Sequence, residues 1–241
     1  MVLLVADPGP LRAAVEAGLR QAGEDVALRS PNDEDLWLAA RGRRAVVYLP
    51  GSSLLEASLA PSPSAERVAE VLAAAGAPGV QVLVPVFPDH PSFDLELDVV
   101  RRHGRPYAAL RSPPLLEEIA TLLPDDRRAL WLPRLGHTRA TTASTLVTAI
   151  REALDTEWQG RVTPVAAEAL DAVELVKRAA EIVGRPLPVR PLRPWLFRLL
   201  RGVGRWLRRR EVALLAALAP LLPELAPPSR RRALPPAHAP G

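Results

Sequence analysis

The chain has 241 residues, of which 48% are hydrophobic and 24% charged, enough apolar material for one large domain or a domain with a small appendage. It contains no cysteine, which excludes disulfides, thiolate nucleophiles and cysteine metal sites, and aromatic residues are only 4%, so the core must be Leu, Val, Ile and Ala. The net charge of +4 is uneven: from Arg190 onward 11 arginines stand against two acids, Glu211 and Glu224, and the residues before Arg190 are net acidic.

Residues 2–6 are predicted as a strand and 10–22 as a helix with Leu11, Val15, Leu19 and Ala22 on one face. Pro10 suits the first helical turn, where its missing N–H costs nothing, and Gly23 ends the helix. "DVALRS" is a second short strand, and "DEDLWLAARG" a short helix with acids at its start. "AVVYLPGS" is a strong strand ending in a Pro-Gly break. "SAERVAEVLAAAGAPG" is a helix with Ser64 as its cap, and "VQVLVPVF" a strand of the buried type. "LELDVVRRHG" is a helix and "PYAALRS" a strand. Strand and helix thus alternate with short connections, which argues for a doubly wound parallel sheet with helices on both faces, an α/β fold.

After residue 112 the rhythm changes. "PPLLEEIATLLP" is a short helix and "RALWLPRLG" an irregular strand. "TASTLVTAIREALD" is a helix with Leu146, Ile150, Ala153 and Leu154 inward. "AAEALDAVELVKRAAEIVG" is another, with Leu170, Val173, Leu175, Val176 and Ile182 available for packing. The organisation expected is a core over 1–115, a mainly helical C-terminal lobe over 116–225, and a Pro- and Arg-rich disordered tail over 226–241. No signal peptide is evident, and no apolar run reaches the roughly 18–20 residues that span a bilayer; "VALLAALAPLL" is too short and is broken by Pro220. A cytoplasmic location is the expectation.

Four stretches, in this order, resemble the atypical short-chain dehydrogenase/reductase group, the NmrA-like and epimerase-like NAD(P)-binding Rossmann proteins. "VLLVADPGPLRAAVEAGLRQAG" stands where that family has its glycine-rich turn and first helix. "RRAVVYLPGS" is similar to its fourth strand, "VRRHGRPYAALRSPPLLE" to a later helix and strand, and "VTPVAAEALDAVELVKRAAEIVGRPLPVRPLRPWLFRLL" to its substrate-side segment. The resemblance spans about residues 2–225 and implies a Rossmann-type sheet with a small C-terminal lobe. It implies NADP or NAD as cofactor, held around Asp7, Gly9, Arg12, Arg29, Pro50 and Gly51.

The same residues depart from the family pattern. A diphosphate rests on a helix N-terminus because free N–H groups and the helix dipole favour an anion, and glycines let the backbone approach it. Here the three-glycine motif reads "DPGPLRA". Asp7 places a carboxylate where phosphate would lie. Pro8 and Pro10 each remove a donor. Arg12 could partly compensate. Arg29 ends the second strand, where NADP-preferring relatives carry an arginine for the 2′-phosphate; a solvated arginine is the other reading.

The family's proton donor is a tyrosine with lysine four residues on, aided by a serine on the preceding strand. Tyr48 is followed at that spacing by Ser52 and Tyr107 by Arg111, and the only lysine, Lys177, is on a late helix. Phe87 and Pro88 stand where the serine is expected, and the tyrosine and lysine positions fall near Asp89 and Phe93. No catalytic residue is therefore assigned. Asp89, His90, His103 and His137 lack ligand spacing, so no metal is expected. "LPGSSLL" lacks the Gly-x-Ser-x-Gly elbow of a hydrolase, and Glu117–Glu118 and Asp125–Asp126 read as solvated helix-end acids.

"RPWLFRLLRGVGRWLRRR" puts Trp195, Leu199, Val203, Trp206 and Leu207 on one helical face among arginines. It packs on the body with its arginines reaching water, or it makes a peripheral membrane contact through Trp195–Arg210; nucleic acid is not expected as a partner. The expected function is a degenerate NAD(P)-binding protein without the Ser-Tyr-Lys triad, a pseudoenzyme that binds a protein or small-molecule partner, with weak or lost cofactor affinity. The alternatives are an NAD(P)H-dependent oxidoreductase or epimerase-like enzyme with a non-standard proton donor, and a membrane-peripheral scaffold.

Overall fold

The computed structural model describes residues 1–59, 64–124, 129–134, 136–155, 159–185, 187–193, 209–218 and 221–222. The chain divides into two compact units, Met1–Thr121 with Arg139–Glu168, and Leu122–Thr138 with Ala169–Gly241.

The first unit is built on a six-stranded parallel sheet in the order β2–β1–β3–β4–β5–β8. The strands are β1 (Val2–Val5), β2 (Val26–Arg29), β3 (Ala45–Tyr48), β4 (Val82–Pro88), β5 (Ala108–Ser112) and β8 (Arg161–Pro164). Val2 is in register with Val26 on one side and Ala45 on the other, which makes β1 the strand from which the order runs outward both ways. β1, β3 and β4 are buried along their whole length, so they read as unbroken apolar runs, as strands covered on both faces must.

Alternate residues of these strands enter two separate layers. Val2, Leu4 and Val47 pack with Leu11, Val15 and Leu19 of α1 (Pro10–Gln21) and with Leu146 and Ile150 of α7 (Ala143–Ala153). Leu3, Val5 and Val46 pack on the other face with α2 (Leu36–Ala40), α4 (Ala65–Ala75) and α5 (Asp94–Arg102). Caps fix where the longer helices start. Ser64 accepts the Arg67 N–H at 3.3 Å ahead of α4, and Thr142 accepts the Thr145 N–H at 3.2 Å ahead of α7. Two shorter helices complete the unit, α3 (Leu54–Leu59) and α6 (Leu116–Ala120).

The second unit pairs β6 (Leu130–Pro133) in parallel with β10 (Val189–Leu192). Beside them lie α8 (Ala172–Ile182) and α9 (Arg209–Leu218), and the Arg190 guanidinium sits 5.4 Å from the centre of the Trp131 ring. The chain passes between the units after Thr121, at β7 (Thr138–Ala140) and at β9 (Glu168–Leu170).

Three expectations are corrected here. The helix expected over 166–184 begins only at Ala172, because the Asp171 carboxylate accepts the N–H groups of Val173 and Glu174 at 2.8 and 2.9 Å and caps it there. Ile182, expected to pack, is 40% exposed. Residues 161–164, which show no apolar run, supply the sixth strand of the sheet, and α7 and β8 belong to the sheet-bearing unit. The Arg-rich segment lies outside the described residues over 194–208, as does the tail over 226–241. Among the described residues no helix is long and apolar enough to cross a membrane.

Candidate functional site

Where β1 meets β3 the strand order reverses, and a crevice opens at the C-terminal ends of the two strands, the usual ligand position in such sheets. β1 delivers Asp7 to it and β3 delivers Tyr48. The chain then turns at Pro50–Gly51, where Gly51 has φ of 95°, a left-handed conformation that favours glycine. α3 begins just after, held by Glu118 of α6, whose two carboxylate oxygens accept the N–H groups of Leu54 and Leu55 at 2.9 and 3.0 Å. Opposite stand the N-terminal turns of α4 and α5, with Ser64 and Arg67 from the first and Phe93 and Glu96 from the second. Together these segments enclose a cavity of about 660 Å³.

Its charges are distributed unequally. Asp7 and Arg67 form an ion pair at 3.1 Å. Glu56 accepts a hydrogen bond from the Ser52 hydroxyl at 2.9 Å. Glu96 is 2% exposed; its Oε1 accepts the Ser64 N–H, and its Oε2 is buried without a hydrogen-bond partner. Burial pushes the Glu96 carboxyl above its ordinary value, against the Ser64 N–H and the Arg67 charge, which favour the anion. Burial, with the neighbouring Glu96 charge, also pushes the Tyr48 phenol up.

The Glu96 shift has a signed consequence. A carboxyl raised in the folded state binds more protons there than in the unfolded chain, so its contribution to stability is fully present below its ordinary value of 4.5 and is lost as pH rises toward the folded value. Thermal melts across acidic to neutral pH should therefore show stability falling above that point. Glu96→Gln should flatten the fall, and an unchanged slope in the variant would refute the assignment.

The first turn is arranged differently from the cavity wall. Gly9 precedes α1 with φ of 168°, an extended conformation open to any residue. Close approach is what requires glycine: a Cβ there would lie 2.7 Å from the Ser52 carbonyl oxygen and 2.8 Å from the Ser52 Cβ. Pro8 and Pro10 have no N–H, and the Leu11 N–H points at the same Ser52 carbonyl at 3.4 Å. The turn is thus seated on the chain's own Pro50–Ser53 segment.

Of the residues singled out in the sequence, Asp7, Pro50 and Gly51 come together on the cavity wall. Gly9 lies against Ser52 beside it. Arg12 is half-buried in the first turn of α1 and does not line the cavity. Arg29 at the end of β2 donates to the Leu28 carbonyl at 2.8 Å and lies 4.0 Å from Asp33. Phe87, fully buried, meets Tyr48 edge-on at 6.4 Å and Phe93 at 6.2 Å, which makes an aromatic cluster at the end of β4. Tyr107 donates to the Gly160 carbonyl at 3.4 Å, and Lys177, in the second unit, pairs with Glu174 at 3.3 Å. His90 accepts the Ser92 N–H on Nδ1, and Asp89 pairs with Arg139 at 3.5 Å. Among the described residues no three His, Asp or Glu side chains converge as a metal site would need.

Sequence reasoning missed Arg67, Glu96 and Glu118. For Glu96 a signal existed. It falls on the stripe of α5 that holds Phe93, Leu97 and Val100, and an acid inside an apolar stripe is a candidate for burial. Glu118, expected as a solvated helix-end acid, is instead 3% exposed, turned inward to accept the N–H groups of Leu54 and Leu55, more than 60 residues earlier in the chain.

No family model matches the sequence, and no curated protein matches it. Solved structures do. A nucleoside-diphosphate-sugar epimerase from Staphylococcus aureus aligns with a TM-score of 0.59 at 15% identity, covering 93% of this chain and 91% of that one. An NADPH-dependent quinone oxidoreductase from Escherichia coli, complexed with NADPH, aligns with a TM-score of 0.58 at 16% identity over 92% and 88%. A triphenylmethane reductase from a Citrobacter species, complexed with NADP(H), aligns with a TM-score of 0.54 at 15% identity over 97% and 100%. Likeness at this identity speaks for the fold, and the fold of this chain is the Rossmann-type α/β fold of those epimerase and reductase structures.

Proposed function

We propose that this protein is a binding or regulatory protein on a Rossmann-type scaffold, with weak or lost NAD(P) affinity and without hydride transfer by a Ser-Tyr-Lys triad. The observation that carries the reading is the seating of the first turn on Ser52. A Cβ on Gly9 would run into Ser52 of the chain itself, so a contact within the chain accounts for the glycine without a diphosphate. Two further facts support it. The Asp7 carboxylate stands at the end of β1, and its ion pair occupies the Arg67 charge that could otherwise meet a phosphate. The residues present do not fit a diphosphate.

Calorimetric titration of the full chain with NADPH and with NADH should show no saturation below millimolar concentration. Micromolar binding of either would overturn the reading. A second reading, an NAD(P)H-dependent oxidoreductase or epimerase-like enzyme with an unusual proton donor, draws support from the NADP(H)-complexed structures of the same fold. Micromolar NADPH binding together with NADPH oxidation in the presence of quinone or another carbonyl acceptor would establish it in place of the first.

A further inference from the structure

We infer that the outer edge of β2 is a strand-docking position kept shut by two arginine caps, Arg20 and Arg29, and that its occupant once uncapped is β2 of a second copy of this chain. The inference concerns the sheet edge and does not depend on what the crevice binds.

The topology creates the position. In the classic doubly wound order a further strand lies outside the second. Here α2 leads from β2 straight to β3, on the far side of β1, and among the described residues β2 ends the sheet. The ladder with β1 decides which backbone groups are left over. The Val2 N–H donates to the Asp25 carbonyl at 2.7 Å and the Ala6 N–H to the Arg29 carbonyl at 3.0 Å, so residues 25, 27 and 29 turn their backbone groups toward β1. Val26 and Leu28 turn theirs outward. An outward row of this kind is a template for another strand.

Both outward carbonyls are already occupied. Arg20, reaching over from α1, donates to the Val26 carbonyl at 3.3 Å, and Arg29 donates to the Leu28 carbonyl at 2.8 Å. Each guanidinium is held in turn by an acid four residues along the chain, Arg20 by Glu16 at 2.9 Å and Arg29 by Asp33 at 4.0 Å. The two arginine side chains are 57% and 45% exposed, so they stand between the strand and water. One such surface contact is weak, but together the two cover every outward carbonyl of β2. An arriving strand must displace both guanidiniums and then lie beside their charges.

The uncapped edge matches itself. An antiparallel copy centred on Ala27 sets Val26 opposite the copy's Leu28. Each then donates its N–H to the other's carbonyl, the pattern of a hydrogen-bonded antiparallel pair. The strand is apolar from Val26 to Leu28, and the pairing closes as a two-fold dimer with one continuous sheet.

The test is analytical ultracentrifugation of the full chain, with far-UV circular dichroism to check the fold. The wild type should keep one mass as its concentration rises. The double variant Arg20→Ala with Arg29→Ala should move to about twice that mass. A control, Arg101→Ala with Arg102→Ala at the end of α5, removes the same charge away from the edge and should stay at the wild-type mass. Hydrogen exchange followed by NMR locates the contact: the Val26 and Leu28 amides should exchange about tenfold or more slowly in the uncapped variant than in the wild type. An uncapped variant that keeps the wild-type mass overturns the inference. So does association that leaves those two amides unprotected, or equal association of the control. A wild type that already pairs with both amides protected overturns the arginines as the closure. Should the double variant misfold, Arg20→Ala alone, which frees the Val26 carbonyl, is read in the same way.

Discussion

Glu118→Ala is expected to lower the unfolding free energy of the sheet-bearing unit by about 3–5 kcal/mol, the range for stripping a buried charged group from its partners. Glu118 is 3% exposed, and its carboxylate accepts three backbone N–H groups: Leu54 at 2.9 Å, Leu55 at 3.0 Å and Leu115 at 3.2 Å. The first two are the opening donors of α3 and the third opens α6, so one side chain starts two helices. Burial pushes its carboxyl above the ordinary range, while the three N–H groups and Ser53 pull the other way. Alanine would leave three donors buried and unpaired. Glutamine would keep one oxygen acceptor but turn an NH₂ toward an N–H, so Glu118→Gln should fall between alanine and the wild type. Urea unfolding followed by circular dichroism measures both; a loss below about 1 kcal/mol for alanine would show the network to be dispensable.

The parts of this fold that were legible in the sequence are those whose signal is local. β1, β3 and β4 are apolar throughout because they are covered on both faces, and α4 and α7 announce themselves through Ser64 and Thr142, which cap the turn next to them. β8 was illegible for the converse reason. Its residues are exposed or half-buried, and its place in the sheet comes from pairing with β5, about 50 residues earlier in the chain. The candidate site divides in the same way. Asp7 is visible as an acid in a turn that ought to be neutral, but Arg67, which neutralises it, is 60 residues away. Glu96 and Glu118 act on N–H groups 32 and more than 60 residues distant, and no local pattern encodes such a partner. The sequence therefore makes Asp7 an uncompensated charge, whereas in the folded chain Arg67 pairs with it and also faces Glu96.

Gly9→Ala is expected to destabilise the protein by about 2–3 kcal/mol, the scale of an overpacked contact that backbone must absorb. The added Cβ would lie 2.7 Å from the Ser52 carbonyl oxygen and 2.8 Å from its Cβ, so either the first turn or the Pro50–Ser53 segment must move. The extended φ of 168° adds no conformational penalty, which makes contact the entire source of the effect. That separates two origins for the glycine. If it serves contact with Ser52, Ser52→Gly should recover part of the loss in Gly9→Ala, since the Cβ clash goes and the carbonyl clash stays. A double-mutant cycle from urea unfolding then gives a coupling of about 1 kcal/mol. If it serves a diphosphate, Gly9→Ala should leave stability nearly unchanged and remove NADPH binding that the wild type displays. A stable Gly9→Ala protein with lost micromolar NADPH affinity would return this turn to cofactor binding. A destabilised one rescued through Ser52 would fix the turn as a structural seat closed by its own chain.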